Sequence, residues 1–153
     1  MNRFLFLIVL VLISHTSWCQ DHYPYQDIKL EKPTDFKGTE PLALSAATFL
    51  LSTPFDEQNA GRIAALQFLA KWMAGTKDYN FYMQGKVAEI NGVPNLLSQY
   101  IAAMAKYSLE NKTEAANALT VELNASKLLL AYCNDPRNKF KLKKKWRKLL
   151  ETN

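Results

Sequence analysis

The sequence predicts an all-α fold, an irregular bundle of five to six helices that follows an extended N-terminal arm. Apolar residues recur at helical spacing through most of the chain after Gly38. The 153 residues include only 5 glycines and 6 prolines, and several prolines fall where a helix would begin, a position that suits their fixed φ and missing N–H. A short α-solenoid of helix pairs is the alternative fold, because residues 63–66 (IAAL) resemble residues 101–104 (IAAM).

Residues 1–19 have the pattern of a secretory signal peptide. Arg3 precedes an unbroken apolar run from Phe4 to Ile13, and the small side chains of Ser17 and Cys19 precede an expected cleavage before Gln20. The run is much shorter than the roughly 20 residues that a transmembrane helix needs. We therefore expect an exported protein, periplasmic or extracellular, with no transmembrane span in the mature chain.

Cleavage before Gln20 would leave Cys133 as the last cysteine and His22 as the last histidine. An internal disulfide is then impossible. Cys133 is either a small buried residue or the site of an intermolecular disulfide, and we favour the buried residue. The same cleavage leaves too few histidines and cysteines for a His/Cys metal site, and it leaves only His22 for a histidine-based catalytic triad. The sequence contains no recognisable nucleotide-binding, zinc or nucleophile-elbow motif, so we expect no metal and no cofactor.

The mature chain divides into an arm at residues 20–38 and one helical domain at residues 39–153. The arm contains Pro24 and Pro33 without helical periodicity, so it should lie extended on the domain. Caps, prolines and glycines then predict helices from Thr39-Pro41 to Ser52, from Thr53-Pro54 to Ala74, over residues 80–90, from Pro94 to Glu110, from Thr113 to Cys133, and from Asp135-Pro136 to Glu151.

The helix predicted at residues 113–133 should be central, because its polar strip is narrow. One apolar stripe comprises Ala116, Leu119, Leu123, Leu130 and Cys133, and a second comprises Val121, Ala125, Leu128, Leu129 and Tyr132. We expect Leu123 and Leu130 to be important core positions.

The predicted C-terminal helix is basic and amphipathic. Residues 137–153 hold eight Lys or Arg and one Glu, whereas residues 20–136 hold ten Lys or Arg and thirteen Asp or Glu. The candidate contacts for an anionic surface or an acidic protein are Lys141, Lys144, Lys145, Arg147 and Lys148. The apolar stripe of Leu142, Trp146, Leu149 and Leu150 could instead simply dock on the domain. Nucleic acid is not expected as a partner, because no second basic surface is evident.

The segment around residue 80 is rich in aromatic residues. Tyr79, Phe81 and Tyr82 could form a contact surface, because aromatic side chains offer a large area at little entropic cost. Core filling between helices is the competing reading. We therefore predict a small exported binding protein without a catalytic site, which contacts an unidentified protein or anionic surface. The alternative is a carboxylate-dependent enzyme whose site is assembled only by the fold.

Overall fold

The computed structural model describes residues 23–82, 85–90 and 92–152, so the predicted signal peptide and the first residues of the arm lie outside the described residues. The described chain is all-helical, which confirms the predicted fold class of an irregular bundle. The α-helices are α1 (Pro33–Gly38), α2 (Glu40–Ser52), α3 (Ala60–Gly75), α4 (Lys86–Ile90), α5 (Pro94–Glu110), α6 (Ala118–Asn134) and α7 (Lys144–Glu151), with a 3₁₀ turn at Pro136–Asn138.

Helix α5, rather than the predicted 113–133 helix, is the centre of the bundle. Its residues 102–105 are all buried, and four consecutive helical residues point in every direction around the axis. One core cluster receives Ala102, Ala105 and Leu109 from α5, and a second receives Leu96 and Tyr100. Helix α5 therefore joins the two core clusters, whereas α6 contributes to the second cluster alone.

Helices that are distant in the sequence pack against each other. Helix α2 packs more extensively on α5 than on any other helix, although α3 and α4 lie between them in the sequence. Helix α3 packs mainly on α2, and α6 packs mainly on α5. The result is an irregular bundle, as predicted.

The contact between α2 and α5 is rich in alanine. Ala43, Ala46 and Ala47 on α2, and Ala102 and Ala105 on α5, are completely inaccessible to solvent and belong to the same core cluster. On α2 these residues follow the spacing that places side chains on one helix face. Small side chains on both helices allow the two backbones to approach closely.

Part of the predicted arm is helical. Leu30 is buried in the first core cluster, and the Tyr25 ring stacks on Phe68 with centroids 5.9 Å apart, so the described part of the arm does lie on the domain. Helix α1 then begins at Pro33, where Asp35 Oδ2 accepts the backbone N–H of Lys32 at 2.9 Å. The backbone N–H groups of Lys32 and Glu31 lower the pKa of the Asp35 carboxyl and favour its ionised form.

Helix α1 is fastened to α3 by a close approach at a glycine. A β-carbon on Gly75 would lie 2.3 Å from the Phe36 ring. The absence of a side chain at this position makes room for that ring. The indole N–H of Trp72 also donates to the Phe36 carbonyl at 2.8 Å.

Two predicted helix caps are wrong, by six and by four residues, because a later asparagine caps the helix in each case. Thr53 ends α2 instead of opening α3, and its hydroxyl donates to the Phe49 carbonyl at 2.7 Å. The Asn59 side chain caps α3 by accepting the N–H of Arg62. Likewise Asn117, rather than Thr113, caps α6 by accepting the N–H of Thr120.

Two other predicted helices are shorter than expected. Helix α4 covers only the second half of residues 80–90. In the C-terminal segment, the 3₁₀ turn ends at Lys139, which has φ 51°, and α7 begins only at Lys144. The Asn138 side chain is buried and donates to the Tyr132 carbonyl at 2.7 Å, which holds this break in place.

Candidate functional site

The apolar stripe of the C-terminal segment docks on the domain. Leu150 is 2 % exposed and belongs to the second core cluster. Leu142, Trp146 and Leu149 are partly buried against the same cluster. The apolar residues that would enter a lipid interface are therefore packed against the protein's own core, Leu150 completely and the other three in part.

The lysines of this segment point away from the domain. We call Lys141, Lys144, Lys145 and Lys148 the basic face; all four are exposed. Within the described ranges, ion pairs join Lys106 to Glu110, Lys112 to Glu40 and Arg137 to Asp135, and none involves the basic face. The basic face is consequently charged, exposed and not neutralised by the protein.

Arg147 differs from the lysines beside it. Its side chain is partly buried, and Nη1 donates to the Asn134 Oδ1 at the end of α6, at 2.9 Å. This hydrogen bond orients α7 on α6. Of the five basic residues predicted as contacts, the structure presents four to solvent and uses the fifth as an anchor.

A buried lysine holds the other end of α7, and sequence reasoning missed it. Lys86 is 7 % exposed. Its ammonium donates to the backbone carbonyl of Thr152 at 2.5 Å and to the Ser126 hydroxyl at 3.4 Å. A cation at the C-terminal end of a helix is favoured by the helix dipole. No pattern in the sequence distinguishes this lysine from exposed ones, because its partners come from α6 and from the residue after α7.

A groove runs along one edge of the basic face. It has a volume of about 480 Å³ and is lined by residues of α4 and α7 together with Thr152, including Glu89, Trp146 and Leu149. The Lys145 ammonium lies 4.1 Å from the centre of the Trp146 ring, a cation–π contact. The groove thus combines two lysines, a partly exposed indole and one carboxylate.

The aromatic segment is divided between the core and the surface. Tyr79 is 7 % exposed, and its ring packs on Trp72 with centroids 5.6 Å apart. Phe81 is partly buried and contacts the same two rings at 6.1 Å. Only Tyr82 is half-exposed, so the structure does not bring the three predicted contact residues together on one surface.

Tyr82 lies at a separate cavity of about 240 Å³. Its lining includes Tyr100, Glu122 and Leu119, whose side chain is 80 % exposed. Burial raises the pKa of Tyr100 to about 12, so its phenol remains neutral at physiological pH. A phenol in that state is a hydrogen-bond donor rather than a base.

Cys133 and Asp135 have shifted pKa values that favour forms unsuited to catalysis. Burial raises the pKa of the Cys133 thiol to about 11, and nearby Arg147 lowers it only in part. Because the thiol is buried and protonated, it is a poor partner for an intermolecular disulfide. The pKa of the Asp135 carboxyl is lowered by its hydrogen bonds to Arg137, which stabilise the anion and disfavour the protonated form that a general acid requires.

Among the described residues, no group of three His, Cys, Asp or Glu side chains could hold a metal ion. None of the helices in this described part of the chain combines the length and apolar character needed to cross a membrane.

Comparisons of the chain with protein-family models, with curated proteins and with solved structures found no match. Any functional conclusion must therefore come from the geometry of the molecule itself.

Proposed function

We propose that this protein is a non-catalytic binding protein that docks onto an anionic surface through its basic face. The observation that carries the proposal is the combination, in residues 141–150, of an apolar stripe packed against the core with exposed lysines that form no ion pair within the described residues. A basic helix that inserts into lipid must offer both its cations and its apolar residues. Here the cations are exposed while the apolar residues pack on the domain, which supports attachment by charge at the surface without insertion.

The way in which α7 is held supports the same proposal. Leu150 anchors the last turn of the helix in the core, Arg147 ties its middle to α6, and Lys86 holds Thr152 just beyond its end. The lysines are therefore displayed on a backbone that is already ordered. A preorganised charged face loses less conformational entropy on binding than a flexible tail would lose.

The test compares two double variants with the same change in net charge. Lys144→Gln/Lys148→Gln removes two charges from the basic face, and Lys71→Gln/Lys127→Gln removes two from exposed positions on α3 and α6. Each lysine near an anionic membrane surface contributes about 1 kcal/mol. We expect the first variant to bind vesicles containing phosphatidylserine about 30-fold more weakly than wild type, and the second to bind nearly as well.

Co-sedimentation at several salt concentrations measures this difference. Binding should weaken steeply as salt rises, because screening acts on exposed charges. Equal losses in the two variants, or binding that salt does not change, would contradict the proposal. Substitution is preferable to deletion of residues 137–153, because deletion would remove Leu150 and uncover the second core cluster.

A further inference from the structure

The groove between α4 and α7 contains charges of both signs. Lys145 and Lys148 contribute two ammonium groups from α7, and Glu89 contributes one carboxylate from α4. All three side chains are exposed, so a ligand that arrives from solvent can reach each of them. A ligand that matches this lining carries two anionic groups and one cationic group.

The three charges do not neutralise one another. Within the described residues, neither lysine forms an ion pair with Glu89, and the Glu89 carboxylate accepts no hydrogen bond. The Lys145 ammonium instead lies over the Trp146 ring, a contact that keeps it beside the groove. Opposite charges that share a groove without pairing remain available to a ligand.

Hydrogen bonds hold the two walls of the groove together. Helix α4 packs on α7, and the Lys86 ammonium donates to the Thr152 carbonyl at 2.5 Å. The Thr152 hydroxyl in turn donates to the Lys148 carbonyl at 2.8 Å. Lys86 and Glu89 lie one turn apart on α4. The helix that carries the carboxylate is therefore already fixed to the end of the helix that carries the lysines.

The groove is large enough for the headgroup of a lipid. Its volume of about 480 Å³ falls within the range of roughly 300–1,000 Å³ that is usual for small-molecule sites. Trp146 and Leu149, both partly buried, form the apolar part of the lining. Such a lining suits the carbon atoms that connect the charged groups of a headgroup.

We propose that this groove binds the headgroup of an anionic phospholipid that also carries an ammonium group, as phosphatidylserine does. The inference rests on the proposed attachment of the basic face to an anionic surface, because Lys145 and Lys148 belong both to that face and to the groove. The phosphate and carboxylate of the headgroup would lie at the two lysines, and its ammonium at Glu89. A headgroup without an amine, such as that of phosphatidylglycerol, would leave the Glu89 carboxylate without an opposite charge, and such complementarity gives specificity.

The test compares vesicles that contain phosphatidylserine with vesicles that contain the same mole fraction of phosphatidylglycerol. The two lipids have the same net charge at neutral pH, so a difference in affinity reports recognition of the headgroup beyond its charge. An exposed ion pair is a weak contact, and we therefore expect a preference of about threefold for phosphatidylserine in co-sedimentation. A wild-type protein without this preference would overturn the proposal.

A pair of variants makes the test specific to Glu89. Glu89→Gln should abolish the preference, because a neutral amide does not attract an ammonium group by its charge. The control is Glu151→Gln, which removes the same charge from an exposed position at the end of α7. The control should strengthen binding to both lipids and leave the preference unchanged. A preference that survives Glu89→Gln, or that both variants abolish equally, would contradict the role of Glu89.

The same measurements distinguish this inference from the proposed function. Wild-type binding that weakens with salt but is equal for the two lipids would reject the headgroup site and leave attachment by charge in place. Absence of binding to either kind of vesicle would reject both.

Nuclear magnetic resonance of ¹⁵N-labelled protein tests the location of the site. O-phospho-L-serine is the probe, and glycerol 3-phosphate, which has no amine, is the control ligand. We expect phosphoserine to shift the Trp146 indole N–H saturably and more than glycerol 3-phosphate does. The buried Trp72 indole, which donates to the Phe36 carbonyl, should not respond. Equal shifts with the two ligands, or no shift at Trp146, would reject the groove as the headgroup site.

Discussion

Tyr100 is a residue whose chemistry is altered by its position in the fold. Its side chain is completely buried in the second core cluster, and its hydroxyl donates to the Glu122 carbonyl at 3.3 Å. Burial disfavours the phenolate, and the pKa of Tyr100 therefore rises to about 12 from an ordinary value of 10.0. The buried phenol couples the stability of the core to alkaline pH.

We expect part of the folding stability to be lost as pH rises from about 10 to about 12. A phenol with a raised pKa contributes stability that is fully present below its unfolded pKa of 10.0 and disappears as pH approaches the folded value of about 12. In Tyr100→Phe this loss should be smaller, although the variant should be about 1 kcal/mol less stable at neutral pH because a hydrogen bond is lost.

Urea denaturation of wild type and Tyr100→Phe at a series of alkaline pH values measures the difference. The matched control is Tyr82→Phe, which removes a hydroxyl from a half-exposed ring. Parallel stability curves for wild type and Tyr100→Phe would show that Tyr100 does not couple folding to pH.

The residues of the basic face and those of the cavity between the α2–α3 loop, α3 and α5 differ in how far the sequence could predict them. The lysines of the basic face lie within eight residues of one another, and a helical wheel groups Lys144, Lys145 and Lys148, although Lys141 precedes α7. The cavity joins residues 55–57, Arg62 and Gln99 from three elements. Local periodicity cannot show that these elements meet.

At the scale of elements, α6 buries the second of its two apolar stripes more deeply, although the predicted core positions Leu123 and Leu130 belong to the first. Val121, Ala125 and Leu129 of the second predicted stripe are buried in the core. Leu130 of the first stripe is only partly buried and Leu119 is 80 % exposed. Two apolar stripes on one helix have similar hydrophobicity, and only the position of α5 decides which of them is covered.

Leu129→Ala should therefore destabilise the protein much more than Leu123→Ala. Leu129 is completely buried, and removing such a side chain costs about 2–5 kcal/mol through lost burial and the remaining cavity. Leu123 lies on the same helix, is only partly buried and belongs to neither core cluster, so it provides the matched control. Thermal denaturation followed by circular dichroism tests the contrast, and equal losses would show that the first stripe is buried after all.

The helix boundaries show where local signals succeed and where they fail. Pro41 and Pro94 correctly mark the starts of α2 and α5. Proline suits the first turn of a helix, because its φ is fixed at a helical value and its missing N–H would have no partner there. Thr53-Pro54 looks equally good, but the Arg62 guanidinium binds the carbonyl and hydroxyl of Thr53 from nine residues away. That tertiary contact fixes Thr53 as the end of α2.

For the molecule as a whole, the two core clusters should unfold together. Helix α5 contributes to both, and Leu51, Met73 and Phe81 are packed against both. Neither half can therefore lose its packing without exposing apolar surface of the other. We expect one cooperative transition, with equal calorimetric and van't Hoff enthalpies.

Two tryptophans provide the check, because Trp72 lies in the first cluster and Trp146 packs against the second. Variants that each keep one of these tryptophans should give fluorescence transitions with the same midpoint. A lower midpoint for the Trp146 probe would mean that α7 separates from the domain before the core unfolds, and would also weaken the proposal that its lysines form a preorganised surface.

The alanine-rich contact between α2 and α5 has a consequence for how this fold can change during evolution. At Ala43, Ala46, Ala47, Ala102 and Ala105, even one added methylene would have to enter a seam that solvent does not reach. We expect divergent copies of the fold to vary their surface residues freely but to keep the smallest side chains at these five positions. Spaced small residues in two helices, separated by two intervening helices, would then form a sparse signature by which distant relatives could be recognised after overall identity has faded.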